Sequence, residues 1–354
     1  MNTHLRSFLF ALLIPLLVFV SCRKDEPAPA EPDPPAVVPL DTTSHEFVWE
    51  FDTVAMQYSM IHGVAAVAED DIWVSGQFDG YNPEWDTHDV VGNAAHWNGR
   101  EWTMHGFNVL GDDHWYPLDD AKALGPDNIW ICGGSPFRWD GTRWKAYDYD
   151  GFVFGSGITD IWSSKDQKHA CAVGYRRSCV LYAPESDSFE WFDMPRDEHF
   201  YDVNGKEDGT IYIAGGNPDL GDSHIYRIHP DRTVETWLTL ENYLVYNTWF
   251  LRDTLFLSSE DMIYQLAVEE TNLLWPVTRA SGTICDVEMN APNNIIATTQ
   301  YNTFLHYNGS TWKEISYPYP KVVTVTDLDI AGRHVYIVGY TPEQYCLVIH
   351  GTRL

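Results

Sequence analysis

Hydrophobic and polar positions along this chain alternate in short runs that end in glycine or a small residue, and the same run recurs. It reads DIWVSG at residues 71–76, NIWICG at 128–133, HACAVG at 169–174, TIYIAG at 210–215 and HVYIVG at 334–339. Two degenerate copies, TLFLSS at 254–259 and NIIATT at 294–299, fill the gap. Alternation with β-branched and aromatic enrichment predicts strands, and a spacing near 40 residues predicts a repeat of one supersecondary unit.

A second signature follows each copy. HWNGREW at 96–102, RWDGTRW at 138–144 and HYNGSTW at 306–312 each pair two strands through Asn-Gly or Asp-Gly. Both residues of such a dipeptide accept the positive φ of a tight two-residue hairpin. Closing tryptophans stand at Trp102, Trp144, Trp191, Trp237, Trp275 and Trp312. Four strands in about 40 residues is the unit of a β-propeller blade. The seventh unit runs out at Leu354 with no closing Trp, whereas Trp49 lies in a strand-like segment at the other end. The fold expected is therefore all-β: a seven-bladed β-propeller of four-stranded blades, closed by an N-terminal strand. Closure removes the open sheet edge that invites aggregation.

The repeat resembles the broad superfamily of Asp-box and kelch-like propellers of bacterial exoproteins, with residues 140–144 (DGTRW) approximating the Asp-box turn. The resemblance covers residues 46–354 as architecture and implies no activity, because propellers host many unrelated functions.

Ahead of the repeat, Arg6 precedes an uncharged apolar stretch from Ser7 to Ser21, which ends in Phe19-Val20-Ser21-Cys22. This resembles a bacterial lipobox, with a signal peptide over 1–21 and Cys22 as the lipidated residue. Arg23-Lys24-Asp25-Glu26 resembles the export signal of Bacteroidota-type surface lipoproteins. Residues 25–39 hold six Pro in fifteen, a composition that favours extended polyproline II and makes 22–45 a semi-rigid tether. The expected location is the outer membrane, lipid-anchored and facing the cell exterior, with the propeller at 46–354.

Composition narrows the partners. Lys and Arg number 22 against 51 Asp and Glu, a formal charge of −29, which argues against a nucleic-acid partner. Five Cys remain beyond Cys22; Cys171 and Cys179 flank a predicted hairpin and either bridge or sit as small buried hydrophobes. No cofactor or metal is implied, and a monomer is expected.

Antiparallel parity puts the strand 2–3 and strand 4–1 connections on one face. The longer segments, 77–90, 106–119, 147–157, 216–223 and 340–345, all fall there, so that face is the candidate functional one. The repeat accounts for thirteen of the fifteen Trp; Trp85 and Trp115 remain, in the two largest insertions, beside His88, Asp89, Asp113, His114 and Tyr116. Aromatic faces next to carboxylates and imidazoles suit stacking on sugar or peptide groups, or else the loops pack on each other. On the innermost strands, equivalent positions read Gly63, Asp120, Asp160, Asp202, Asn247, Asp286 and Asp327. This collar reads as structural, each Asp accepting backbone N–H groups, with a Ca²⁺ or cationic-ligand site as the alternative.

No Gly-x-Ser-x-Gly, His-Glu-x-x-His or phosphate-cradling Gly loop occurs. The reading is a non-catalytic surface protein binding a glycan, peptide or protein. A polysaccharide-degrading lyase or hydrolase, or a structural subunit of an envelope complex, is the alternative.

Overall fold

The computed structural model describes residues 42–55, 58–82, 87–108, 115–147, 157–217, 221–241, 243–251, 254–267, 275–300 and 302–354. They form seven four-stranded antiparallel sheets, the blades of a propeller. In six blades the strands follow chain order from channel to rim. The seventh takes three strands from the C-terminus, Thr324–Ala331, His334–Tyr340 and Cys346–Arg353, and its outermost strand from the N-terminus, Phe47–Ala55. Trp49 pairs with Gly351 in that closure, and the register runs from Phe47 opposite Arg353 to Ala55 opposite Cys346.

The recurrent apolar runs are the second strands, and several are buried along their whole length, Asn128–Gly133 and Ala170–Gly174 among them. The core lies between blades. Ile61, Val74 and Phe78 of the first blade pack with Tyr336, Val338 and Val348 of the seventh. Trp162 and Val173 of the third pack with Phe200, Ile213 and Tyr226 of the fourth.

Where a run ends in glycine, the glycine has a local cause. The innermost strand bulges by one residue opposite it, for instance between Ile61 and Gly63 and between Ile158 and Asp160. That bulge drives backbone towards the second strand. A Cβ on Gly76 would stand 2.1 Å from the Met60 carbonyl oxygen, and one on Gly174 1.8 Å from that of Gly157.

Two expectations change. The Asn-Gly and Asp-Gly connections are four residues long, with Trp97 opposite Trp102, Trp139 opposite Trp144 and Tyr307 opposite Trp312. Only the glycines are left-handed, at φ +83° for Gly99, +90° for Gly141 and +97° for Gly309. The preceding side chain makes the turn instead: Asp140 Oδ1 accepts the amides of Thr142 and Arg143 at 2.9 and 3.0 Å. An Asx-type bond replaces the second positive φ. The segment 77–90 is largely not a loop either. It extends the hairpin Asp71–Asn82 with Thr87–Trp97, so that Tyr81 faces His88 and Gly80 faces Asp89. Cys171 and Cys179 lie on adjacent strands as buried free thiols with their sulfurs 3.9 Å apart.

Candidate functional site at the channel mouth

The bulge also sets the chemistry of the channel. In six innermost strands the bulged residue before the collar faces a cavity of about 250 Å³ on the axis, as does Asp119, just ahead of the strand Asp120–Gly125. The first tier holds His62, Asp119, Thr159, Tyr201, Tyr246, Cys285 and Thr326. The second is the collar, in which Asp120, Asp160, Asp202, Asn247, Asp286 and Asp327 line the same cavity. Glycine stands at the seventh collar position because the neighbouring blade is too close: a Cβ on Gly63 would lie 2.5 Å from the Ala121 nitrogen. Deeper still, Lys122 and Glu288 form an ion pair across the channel.

Collar carboxylates reach from one blade to the next. Asp160 Oδ2 accepts the Val203 amide at 2.5 Å, and Asp202 Oδ2 that of Thr248 at 3.0 Å. Asp286 Oδ2 accepts Leu328 N–H at 3.1 Å, and Asp327 Oδ2 accepts Val64 N–H at 2.7 Å. Asn247 keeps the pattern with an amide, its Nδ2 donating to Asp286 Oδ1 at 3.2 Å. Among the described residues, no group of three or more His, Cys, Asp or Glu is gathered as a metal-ligand set.

So many acids with one lysine hold protons tightly. Burial first, then the Asp202 charge, pushes the Asp160 carboxyl up to about 7. Burial likewise carries Asp202 to about 7 against the pull of Thr248 and Lys122. Asp329, on the same strand as Asp327, is raised to about 7 by burial and by Glu288. Asp120 is raised by burial and Asp160, and Asp327 by burial and Asp286. For Lys122, burial favours the neutral amine, but Glu288, Asp120, Asp286 and Asp160 outweigh it and hold the ammonium charged.

Aromatic side chains surround this mouth. Tyr175 and His199 meet edge to face with centroids 5.3 Å apart, His199 stacks on Tyr201 at 6.5 Å, and Tyr201 meets Tyr246 at 5.7 Å. His62 Nδ1 stands 3.5 Å from Asp119 Oδ1. Among the described residues, the exposed large aromatics are Tyr58, Trp115, Tyr116, Tyr175, Tyr243 and Tyr345. All six belong to strand 2–3 or strand 4–1 connections, hence to one face.

Of the residues singled out from sequence, Trp85, Asp113 and His114 lie outside the described residues, as does the side chain of His88. Asp89 is exposed on the hairpin extension. Trp115 is 38% exposed, with its indole over Gly106, where a Cβ would come within 2.2 Å. The Tyr116 carbonyl accepts a bond from the Asn93 amide at 2.9 Å. Sequence reasoning missed Asp119, Tyr201 and Tyr246, which sit one residue before the collar; His62, at the same level, it weighed only as a metal ligand. Reading the column preceding the collar would have found them.

No protein-family model matches this chain, and no curated protein matches its sequence. Solved structures do match in fold. YCF48 bound to D1 peptide superposes with TM-score 0.63 at 14% identity, over 86% of this chain and 97% of that one. A catalytically inactive virginiamycin B lyase from Staphylococcus aureus with quinupristin gives 0.65 at 9%, over 87% and 100%. The extracellular domain of a putative one-component system from B. thetaiotaomicron gives 0.61 at 12%, over 87% of this chain and 40% of that one. These likenesses establish the propeller fold.

They also correct the expectation that the chain is not an enzyme. Lyases stand among the similar structures, so this fold carries catalysis. The missing linear motifs were a poor guide, because a propeller assembles its mouth from seven separate strands and needs no short motif.

Proposed function

We propose that the propeller is a cell-surface recognition module that takes a peptide segment of a partner protein on its loop face, over the channel mouth. The observation that carries this reading is that, among the described residues, all six exposed large aromatics lie on the face where the cavity opens. Rigid aromatic area ringed by polar groups is the composition of interaction surfaces. The likeness to a propeller with a bound peptide, and to the extracellular domain of a putative one-component system, supports it at the level of fold. The N-terminal reading completes the proposal: Cys22 carries the lipid, the Pro-rich segment spaces the domain from the outer membrane, and the domain faces outwards.

A phage-displayed peptide library selected on residues 42–354 tests the binding claim. Enriched peptides are expected to lose at least tenfold in affinity against Tyr175→Ala/Tyr243→Ala; enrichment of none, or equal affinity for wild type and variant, contradicts it. Palmitate labelling abolished by Cys22→Ala, together with removal of the domain by protease on intact cells, tests the anchor.

A second reading rests on the mouth's chemistry. His62 beside Asp119 and carboxyls that hold protons near neutral pH are the materials of general acid–base catalysis. Turnover of a polysaccharide or cyclic peptide that is lost in Asp119→Asn would establish that reading over simple binding.

A further inference from the structure

A second cavity, of about 270 Å³, opens at the seam between the seventh and first blades, on the side of the short turns. The N-terminal strand Phe47–Ala55 supplies Glu50 and Asp52, the first turn of the first blade supplies Glu69 and Asp70, and Trp97 and Trp102 form a wall. The two indoles stand with centroids 5.6 Å apart and planes 42° from parallel. Gly99 holds Asp70 close, since a Cβ there would lie 2.8 Å from the Asp70 Cβ.

Among the described residues, no Lys or Arg lines this groove. The lining histidine, His350, is already engaged: it lies 3.0 Å from His334 and 3.8 Å from Glu50, while His334 itself lies 3.3 Å from Glu69. His350 is itself pushed towards the neutral form, by burial and by His334. Among the described residues, Asp52 and Asp70 make no ion pair with a basic side chain. Ile72, Val348 and the indoles make the apolar part of the lining, and Glu50, Asp52, Glu69 and Asp70 bring four carboxylates to it.

An apolar slot with a four-carboxylate rim is complementary to a side chain with an apolar stem and a cationic head. We infer that this groove docks an arginine side chain of a basic peptide segment, the guanidinium lying against the indole wall and bonding to the carboxylates. The occupant class follows from charge complementarity, and the site is separate from the loop-face mouth.

The test is fluorescence anisotropy at low ionic strength with a dye-labelled hexapeptide containing two arginines, set against the same peptide with citrulline. The arginine peptide should bind, and the citrulline peptide at least tenfold more weakly. Glu69→Gln/Asp70→Asn should weaken the arginine peptide about tenfold, and Trp97→Leu comparably. Glu185→Gln/Glu241→Gln, which removes two exposed acids elsewhere, should leave it unchanged. Equal losses in the two charge variants would assign the binding to the domain's overall acidity and overturn the site. Equal affinity for the citrulline peptide, or no binding to the wild type, would overturn it as well. The charge variants sit at exposed positions, so the test stands even if Trp97→Leu fails to fold.

Discussion

Asp327 of the last blade accepts the backbone N–H of Val64 in the first, Oδ2 to N 2.7 Å, across the seam where the chain's two ends meet. The same contact joins the third blade to the fourth, the fourth to the fifth and the sixth to the seventh. The ring is thus tied on its inner side by collar carboxylates and on its outer side by the N-terminal strand.

Asp327 therefore gives a clean comparison. Asp327→Asn keeps an acceptor for Val64 and removes a carboxyl that resists ionisation, while Asp327→Ala removes both. The asparagine variant should be more stable than the alanine variant by about 1 kcal/mol in urea unfolding at pH 7. Equal stability of the two would mean that the inter-blade bond contributes nothing.

The outer closure is tested at Trp49. Its ring lies on Gly351, where a Cβ would approach to 2.5 Å, and meets Phe304 and Tyr317 with centroids 5.4 and 5.8 Å away. Trp49→Ala should cost about 3 kcal/mol through lost packing, and Gly351→Ala about 1–3 kcal/mol through overpacking. Both should also promote concentration-dependent aggregation in light scattering, because each loosens the strand that covers an edge.

The collar predicts an unusual pH response. Asp160 and Asp202 titrate near 7 when folded and near the ordinary carboxyl value when unfolded. Their contribution is full below about 4 and is lost as pH rises to 7, since the folded state binds more protons in that window. His306 acts oppositely: burial holds it at about 3, so stability falls as pH drops below 6.5. The test is accordingly a difference. Asp160→Asn should gain about 1–2 kcal/mol relative to wild type between pH 5 and pH 8, with channel water limiting the size. Thermal melts giving parallel pH curves would contradict the shift.

Much of this architecture was legible in the chain. Blade number, strand order and the role of Trp49 follow from repeated strand runs and from a seventh unit short of one strand. The collar was legible as well, but the tier above it was not, because the innermost strand breaks period two at its bulge. Alternation would send Tyr201 away from the face that carries Asp202, yet both line one cavity. Tyr246 was hidden for the same reason, and Asp119 because it precedes its strand. The turns failed differently: Asn-Gly pairs suggested two left-handed residues, whereas Asn98 and Asp140 build the turn with their side chains. The insertion around His88 continues as strand because Tyr81 and Asn82 find partners in His88 and Thr87.

A cross-linking map decides whether the loop face over the channel mouth takes a peptide. A library-selected peptide carrying a photoreactive group at each position in turn is irradiated on residues 42–354, and the attachment sites are read by mass spectrometry. Attachment to Tyr175, Tyr243, Tyr345 and their loops is the predicted result. Attachment confined to the short-turn face or the outer strands would contradict the account.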